Sequence, residues 1–161
     1  MSKVRSCSIH FMTYTSIVWH FCSEGNTQKM ERIQERALRF IYNDQQASYE
    51  SLLQKSGLTS LHIRRMKGMA LEAFKIFHKH GPAYLHDLLD PKHSKFSFRY
   101  ENTVNIPRVR TTTYGLRSFR YSAAKLWNEL PNSFRSVSSF SQFKRLVNDW
   151  NGTKCHCGAC R

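Results

Sequence analysis

Residues 61–79, LHIRRMKGMALEAFKIFHK, place Met66, Met69, Ala70, Ala73, Phe74 and Phe77 on one stripe at intervals of three and four. That spacing puts side chains on one face of an α-helix, whereas a strand would alternate them between two faces. Ser60 stands in capping position ahead of the run, and Gly81-Pro82 ends it. A helix of this length with one apolar side must bury that side against other elements, and elements with the same period are its expected partners.

Met30, Ile33, Ala37, Phe40 and Ile41 supply one, predicting a helix over 27–42 capped by Asn26 or Thr27. Its apolar face is expected to be the buried one, with Arg32, Arg36 and Arg39 on a solvated side and Glu35 to Arg39 as an i,i+4 pair. A short helix over 49–55 follows, with Ser48 as cap and Gly57 as stop. Pro82 starts a further turn, AYLHDLL, which closes at Asp90-Pro91. A last pair of helices is expected at 119–130 and 139–150, separated by Pro131. Ser139 and Gln142 form a capping-box pattern ahead of Phe143, Leu146, Val147 and Trp150.

Between 92 and 117 the helical period disappears. KFSFRY alternates, and TVNIPRVRTTTYG is rich in Thr and Val, so one or two short strands or an extended arm are expected, with Pro107 arguing against a central strand. The fold class read from these patterns is mainly α, with a short extended or β segment around 95–117. Its parts would be an N-terminal helical stretch (1–91), a basic arm (92–118), a C-terminal helical pair (119–150) and a Cys-rich tail (151–161).

Charge is the outlier in composition. Twenty-five Lys and Arg against 11 Asp and Glu give a formal net charge of +14 over 161 residues. The excess grows along the chain, from +2 over 1–60 to +5 over 61–100 and +7 over 101–161. Such a bias favours polyanionic partners. No run reaches the ~18 apolar residues of a membrane span. The opening stretch, interrupted by His10 and His20, is expected to be buried structure rather than a leader.

The chemistry of enzymes finds little footing. Two-metal phosphoryl transfer needs clustered carboxylates, and the acids here are scattered without an Asp-Asp pair. There is no G-x-S-x-G, no GxxxxGK[ST] and no GxGxxG. We expect no catalytic residues and no small-molecule substrate. His62, His78, His80, His86 and His93 match no ligand spacing and are read as amphipathic surface side chains.

Binding has better support. Arg99, Arg108, Arg110, Arg117, Arg120 and Lys125 share a window with one acid, Glu101, and Tyr100, Tyr114, Phe119 and Tyr121 are interleaved with them. Guanidinium forks suit phosphates, and aromatic faces suit unpaired bases at ~1–3 kcal/mol per stack. The competing reading makes the aromatics core and the arginines a solvated rim. In the tail, Cys155, Cys157 and Cys160 form a C-x-C-x2-C run. Closed zinc sites take four ligands, so zinc would need a fourth from Cys22, a distant His, a second chain or sequence beyond this one. The alternative is three thiols on a frayed terminus. Five cysteines favour a reduced intracellular protein, nuclear or cytoplasmic, over a disulfide framework.

Three stretches also carry a resemblance: VWHFCSEGNTQKMERIQERALRFIYND, SYESLLQKSGLTSLHIRRMKGMALEAFKIFHKHGPAYLHDLL and YGLRSFRYSAAKLWNELPNSFRSVSSFSQFKRLVNDW. Together they resemble the C-terminal region of the endonuclease–reverse transcriptase polyproteins of animal non-LTR (LINE-type) retrotransposons. SAAKLWNELP, with Trp127 and Pro131, followed by FKRLVNDW, is its most specific block. The resemblance implies a non-catalytic segment beyond the polymerase thumb that helps hold template RNA and target DNA, the catalytic domains of the parent lying upstream. Some relatives end in a zinc knuckle, from whose C-C-H-C spacing the tail departs. Two other readings stay open: a helical module that binds the polymerase thumb or itself, and the product of a decayed copy with no selected activity.

Overall fold

The computed structural model describes residue 17, residues 20–93 and residues 102–152. Among them are six α-helices, which we label α1 (Glu24–Tyr42), α2 (Tyr49–Ser56), α3 (Leu61–Phe77), α4 (Phe119–Glu129), α5 (Asn132–Arg135) and α6 (Phe140–Asp149). A 3-10 turn covers Ala83–Leu88, and a single wide π-type turn covers Thr112–Leu116. The chain is mainly helical, as its periodicity implies. Within α3 it divides into two compact units, Met1–Arg65 and Met66–Arg161. No described helix is long and apolar enough to cross a membrane.

In the first unit α1 packs on α2. Ser48 caps α2 by accepting from the Ser51 amide at 3.2 Å. Gly57 ends that helix at φ +65°, a left-handed conformation that costs glycine little. α1 begins three residues earlier than its sequence pattern implies, with Ser23 in the cap position. More consequentially, its buried side lies about 100° round the helix from the apolar face that the sequence pattern marks, with Arg32 and Arg36 exposed as expected. Ile33, Phe40 and Ile41 are 49%, 85% and 41% exposed, while Gln34 and Leu38 are buried.

Polar pairing explains the rotation, because buried polar groups are tolerated when they are hydrogen-bonded. Glu31 on α1 accepts the amides of Leu61 (3.3 Å) and His62 (2.9 Å) at the start of α3, and the Tyr49 hydroxyl at 2.6 Å. A carboxylate at a helix N-terminus satisfies orphan N–H groups and meets the positive end of the helix dipole. Gln34 donates to the Tyr49 hydroxyl at 3.1 Å and accepts from Arg64. Burial and the adjacent Glu31 carboxylate drive the Tyr49 phenol well above its ordinary range, and burial lowers Arg64. These contacts order a polar face of α1 inward.

The second unit holds the larger core. Met66, Met69, Ala70, Ala73 and Phe74 of α3 meet Ala123, Ala124, Leu126 and Trp127 of α4 and Phe143 and Val147 of α6. The stripe read from 61–79 is therefore the buried one. Trp127 is fully buried; Phe77 stacks on it with ring centres 4.8 Å apart, and Phe74 stacks on Phe143 at 4.4 Å. Leu89 and Val104 join the same cluster, so one core runs through stretches that the sequence pattern treats as separate. The capping box ahead of α6 does not form: Ser139 makes no cap bond and its hydroxyl lies 3.0 Å from that of Ser141.

Truncating Trp127 to Ala is expected to cost about 3–5 kcal/mol, because it empties a fully enclosed site; denaturant unfolding measures it. A pH effect is also expected from His78. Its ring packs 4.2 Å from that of Phe74, its Nε2 is buried without a hydrogen-bond partner, and burial, followed by the neighbouring His80, lowers its pKa from 6.5. The unfolded histidine takes up its proton first, so stability should fall as pH drops below about 6.5. Melting curves between neutral and mildly acidic pH should lose that component in His78→Leu.

Candidate nucleic-acid interface

A backbone in extended form directs the N–H and C=O groups of successive residues to opposite edges. Residues 103–105 use one edge for an antiparallel bridge at Pro91 and Val104. The Lys92 amide donates to Thr103 O at 2.8 Å, and the Asn105 amide to Asp90 O at 2.8 Å. Pro91 lacks an N–H, and the bridge does not ask for one there. No other strand pairing occurs among the described residues.

The opposite edge is closed by side chains of α4. Asn128 accepts from the Val104 amide with Oδ1 (2.9 Å) and donates to the Val104 carbonyl with Nδ2 (2.9 Å), standing in for a neighbouring strand. Trp127 Nε1 donates to Asn102 O at 2.8 Å, and Asn102 Nδ2 donates to Arg135 O at 3.0 Å. Asn102 adopts φ +55°, which asparagine tolerates better than most side chains. Of the two forms expected of this segment, short strands or an extended arm, its described part takes the second, pinned at its root.

Ile106, Arg108 and Arg110 are exposed while Pro107 and Val109 are half-buried, an alternation of period two. The turn at Thr112–Leu116 then folds back. A Cβ built on Gly115 would lie 2.7 Å from Val109 Cβ, so the close approach requires glycine. Ser118 caps α4 by accepting from the Tyr121 amide at 3.3 Å, and its hydroxyl donates to Gly115 O at 2.7 Å. Tyr114 projects from the turn and is 87% exposed.

Arg117 and Arg120 flank the start of α4, whose first turn contains no acid. Cations there add to the positive end of the helix dipole instead of offsetting it, and such a cluster attracts anions. Arg120 is exposed; Arg117 is half-buried. Lys125 stands apart, about 140° round the helix from Arg120, with its ammonium 5.6 Å from the centre of the Tyr121 ring. Arg108, Arg110 and Tyr114 thus belong to the arm and the turn, Arg117 and Arg120 to the start of α4, and Tyr121 and Lys125 to the same helix, while Phe119 packs against the core.

Arg99 and Tyr100 lie outside the described residues, as do Cys155, Cys157 and Cys160 with any zinc they would hold. Among the described residues no group of three His, Cys, Asp or Glu side chains is placed to hold a metal ion. Asn128 is the positioning residue that periodicity overlooks, since an Asn near a helix end reads as solvated. No protein-family model matches the chain, and no curated protein or solved structure matches it.

Replacing Asn128 with Leu removes partners from both backbone groups of Val104, which is only 2% exposed. We expect a loss of about 1–3 kcal/mol for each group left unpaired. Hydrogen exchange at the Val104 amide should accelerate in this variant well beyond the change in global stability.

Proposed function

We propose that this chain is a non-catalytic RNA- or DNA-binding segment of a LINE-type retrotransposon reverse transcriptase. The observation that carries the reading is the pinned arm. Arg108 and Arg110 are exposed on a backbone anchored to the core through Val104, and Arg120 and Tyr114 stand on the helix start and turn that follow. Phosphates of a single strand suit the arginines, and an unpaired base suits the open face of Tyr114. Anchoring lowers the ordering cost of binding. The net charge of +14 supplies long-range attraction to either nucleic acid. The parentage rests on the SAAKLWNELP…FKRLVNDW resemblance, and within this chain the role is to hold nucleic acid for chemistry performed elsewhere in the parent.

The test is a salt-dependent titration of nuclease-treated protein against single-stranded RNA, duplex DNA and an RNA–DNA hybrid. Arg108→Ala with Arg110→Ala should leave the melting temperature unchanged and reduce the salt slope on single strands by about 1.4. Tyr114→Ala should weaken single-strand binding by ~1–3 kcal/mol and leave that slope in place. Affinity and slope unchanged in both variants would remove the arm from the binding surface. A helical protein-interaction module is favoured separately by the outer face of α1.

A further inference from the structure

Helix α1 separates its charges by side. Glu31 and Glu35 lie on the α2-facing side with the buried Gln34 and Leu38, whereas Lys29, Arg32 and Arg36 are exposed on the other. On that outer side, at about 100° per residue, Ile33, Ala37 and Phe40 fall within an arc of about 60°, with Ile41 about 40° beyond it. Ile33 and Phe40 are exposed large apolar side chains. The three cations line one flank of this ridge, and none has an ion-pair partner among the described residues.

The ridge is also rigidly presented. Asn43 ends the helix at φ +49° with its amide bonded to Phe40 O; Arg39 is tied to Glu35 and to Gln45 O, and the Tyr42 hydroxyl donates to Lys55 O at 3.2 Å. Asp44, which accepts from Lys55 and from the Ala47 amide, is held below the usual carboxylate range by those bonds and fixes the loop that follows. A helix held in this way loses little conformational freedom when its outer face is covered.

We propose that the outer face of α1 docks into an apolar groove of a protein partner whose rim, beside Lys29, Arg32 and Arg36, carries carboxylates. Anchors at i, i+4, i+7 and i+8 are the pattern with which a helix enters such a groove. A second copy of the same face fits poorly in any register, because the face carries cations and no acid to meet them. Nucleic acid would satisfy the cations and stack on Phe40, yet leave the branched aliphatic groups of Ile33 and Ile41 without an apolar counterpart. An anionic bilayer would draw cations to both flanks of an inserted stripe, and here they occupy one.

Calcium-loaded calmodulin serves as the probe, since its lobes open Met-rich apolar grooves and a basic amphipathic helix is the type of target they take. Titrating it into the full chain should give saturable, one-to-one binding that chelation of calcium abolishes. Phe40→Asp should weaken this binding about tenfold or more, as expected of a central anchor. Arg32→Gln with Arg36→Gln should weaken it less and remove most of its salt dependence. Both variants should keep the wild-type circular dichroism and melting temperature, because these side chains are exposed. Arg108→Ala with Arg110→Ala should bind the probe like wild type, which separates this face from the arm. The proposal is overturned by absence of binding or by equal binding of Phe40→Asp. It is equally overturned if Phe40→Asp instead abolishes self-association, adsorption to phosphatidylserine vesicles or retention of poly(U) RNA.

Discussion

An extended segment outside a sheet leaves backbone groups on both edges to be satisfied, and burial makes an unsatisfied one costly. At Val104 the second edge is closed by the carboxamide of Asn128, one residue after the indole that holds Asn102. Trp127 reaches in two directions, with its ring in the aromatic core and its N–H on the arm. Packing and polar satisfaction are thereby coupled at two consecutive residues of one helix. The placement of Arg108 and Arg110 depends on that pair, because their segment has no strand neighbour among the described residues beyond residue 105.

In the first unit a carboxylate performs the organising task. Glu31 caps α3 from a different helix, and the geometry brings Tyr49, Gln34 and Arg64 into the same network. Such a network is stabilising only when each member finds its partners, which explains why α1 cannot simply rotate to bury Phe40. Its apolar side is left outside as a consequence. The arm and the outer face of α1 are two surfaces with different chemistry. One offers guanidinium groups and an exposed phenol ring on anchored backbone; the other offers an apolar ridge with cations along one flank.

Much of the fold was legible in local pattern. The stripe from Met66 to Phe77, the stop at Gly57 and the break at Pro131 each depend on interactions within a few residues, where helical period and backbone stereochemistry dominate. The candidate site was legible in part. The enrichment of arginine and tyrosine marked a window, but linear spacing could not tell Phe119, which packs against the core, from the exposed Arg108. Separating them required the turn at Thr112–Leu116, whose fold-back depends on the absence of a side chain at Gly115 meeting Val109.

By itself the sequence determined where helices form, that the 61–79 stripe is buried, and that the chain carries an excess of positive charge rising toward its C-terminal part. Those properties follow from local periodicity and from counting charges. Only the tertiary structure decided that α1 turns Gln34 inward and Phe40 outward, and that 102–105 pairs with a side-chain amide instead of a strand. In both places the outcome rests on hydrogen bonds between residues 15 to 31 positions apart. Partners of that kind leave no period in the chain, because each bond is satisfied once, by one residue, at a distance set by the packing of everything between.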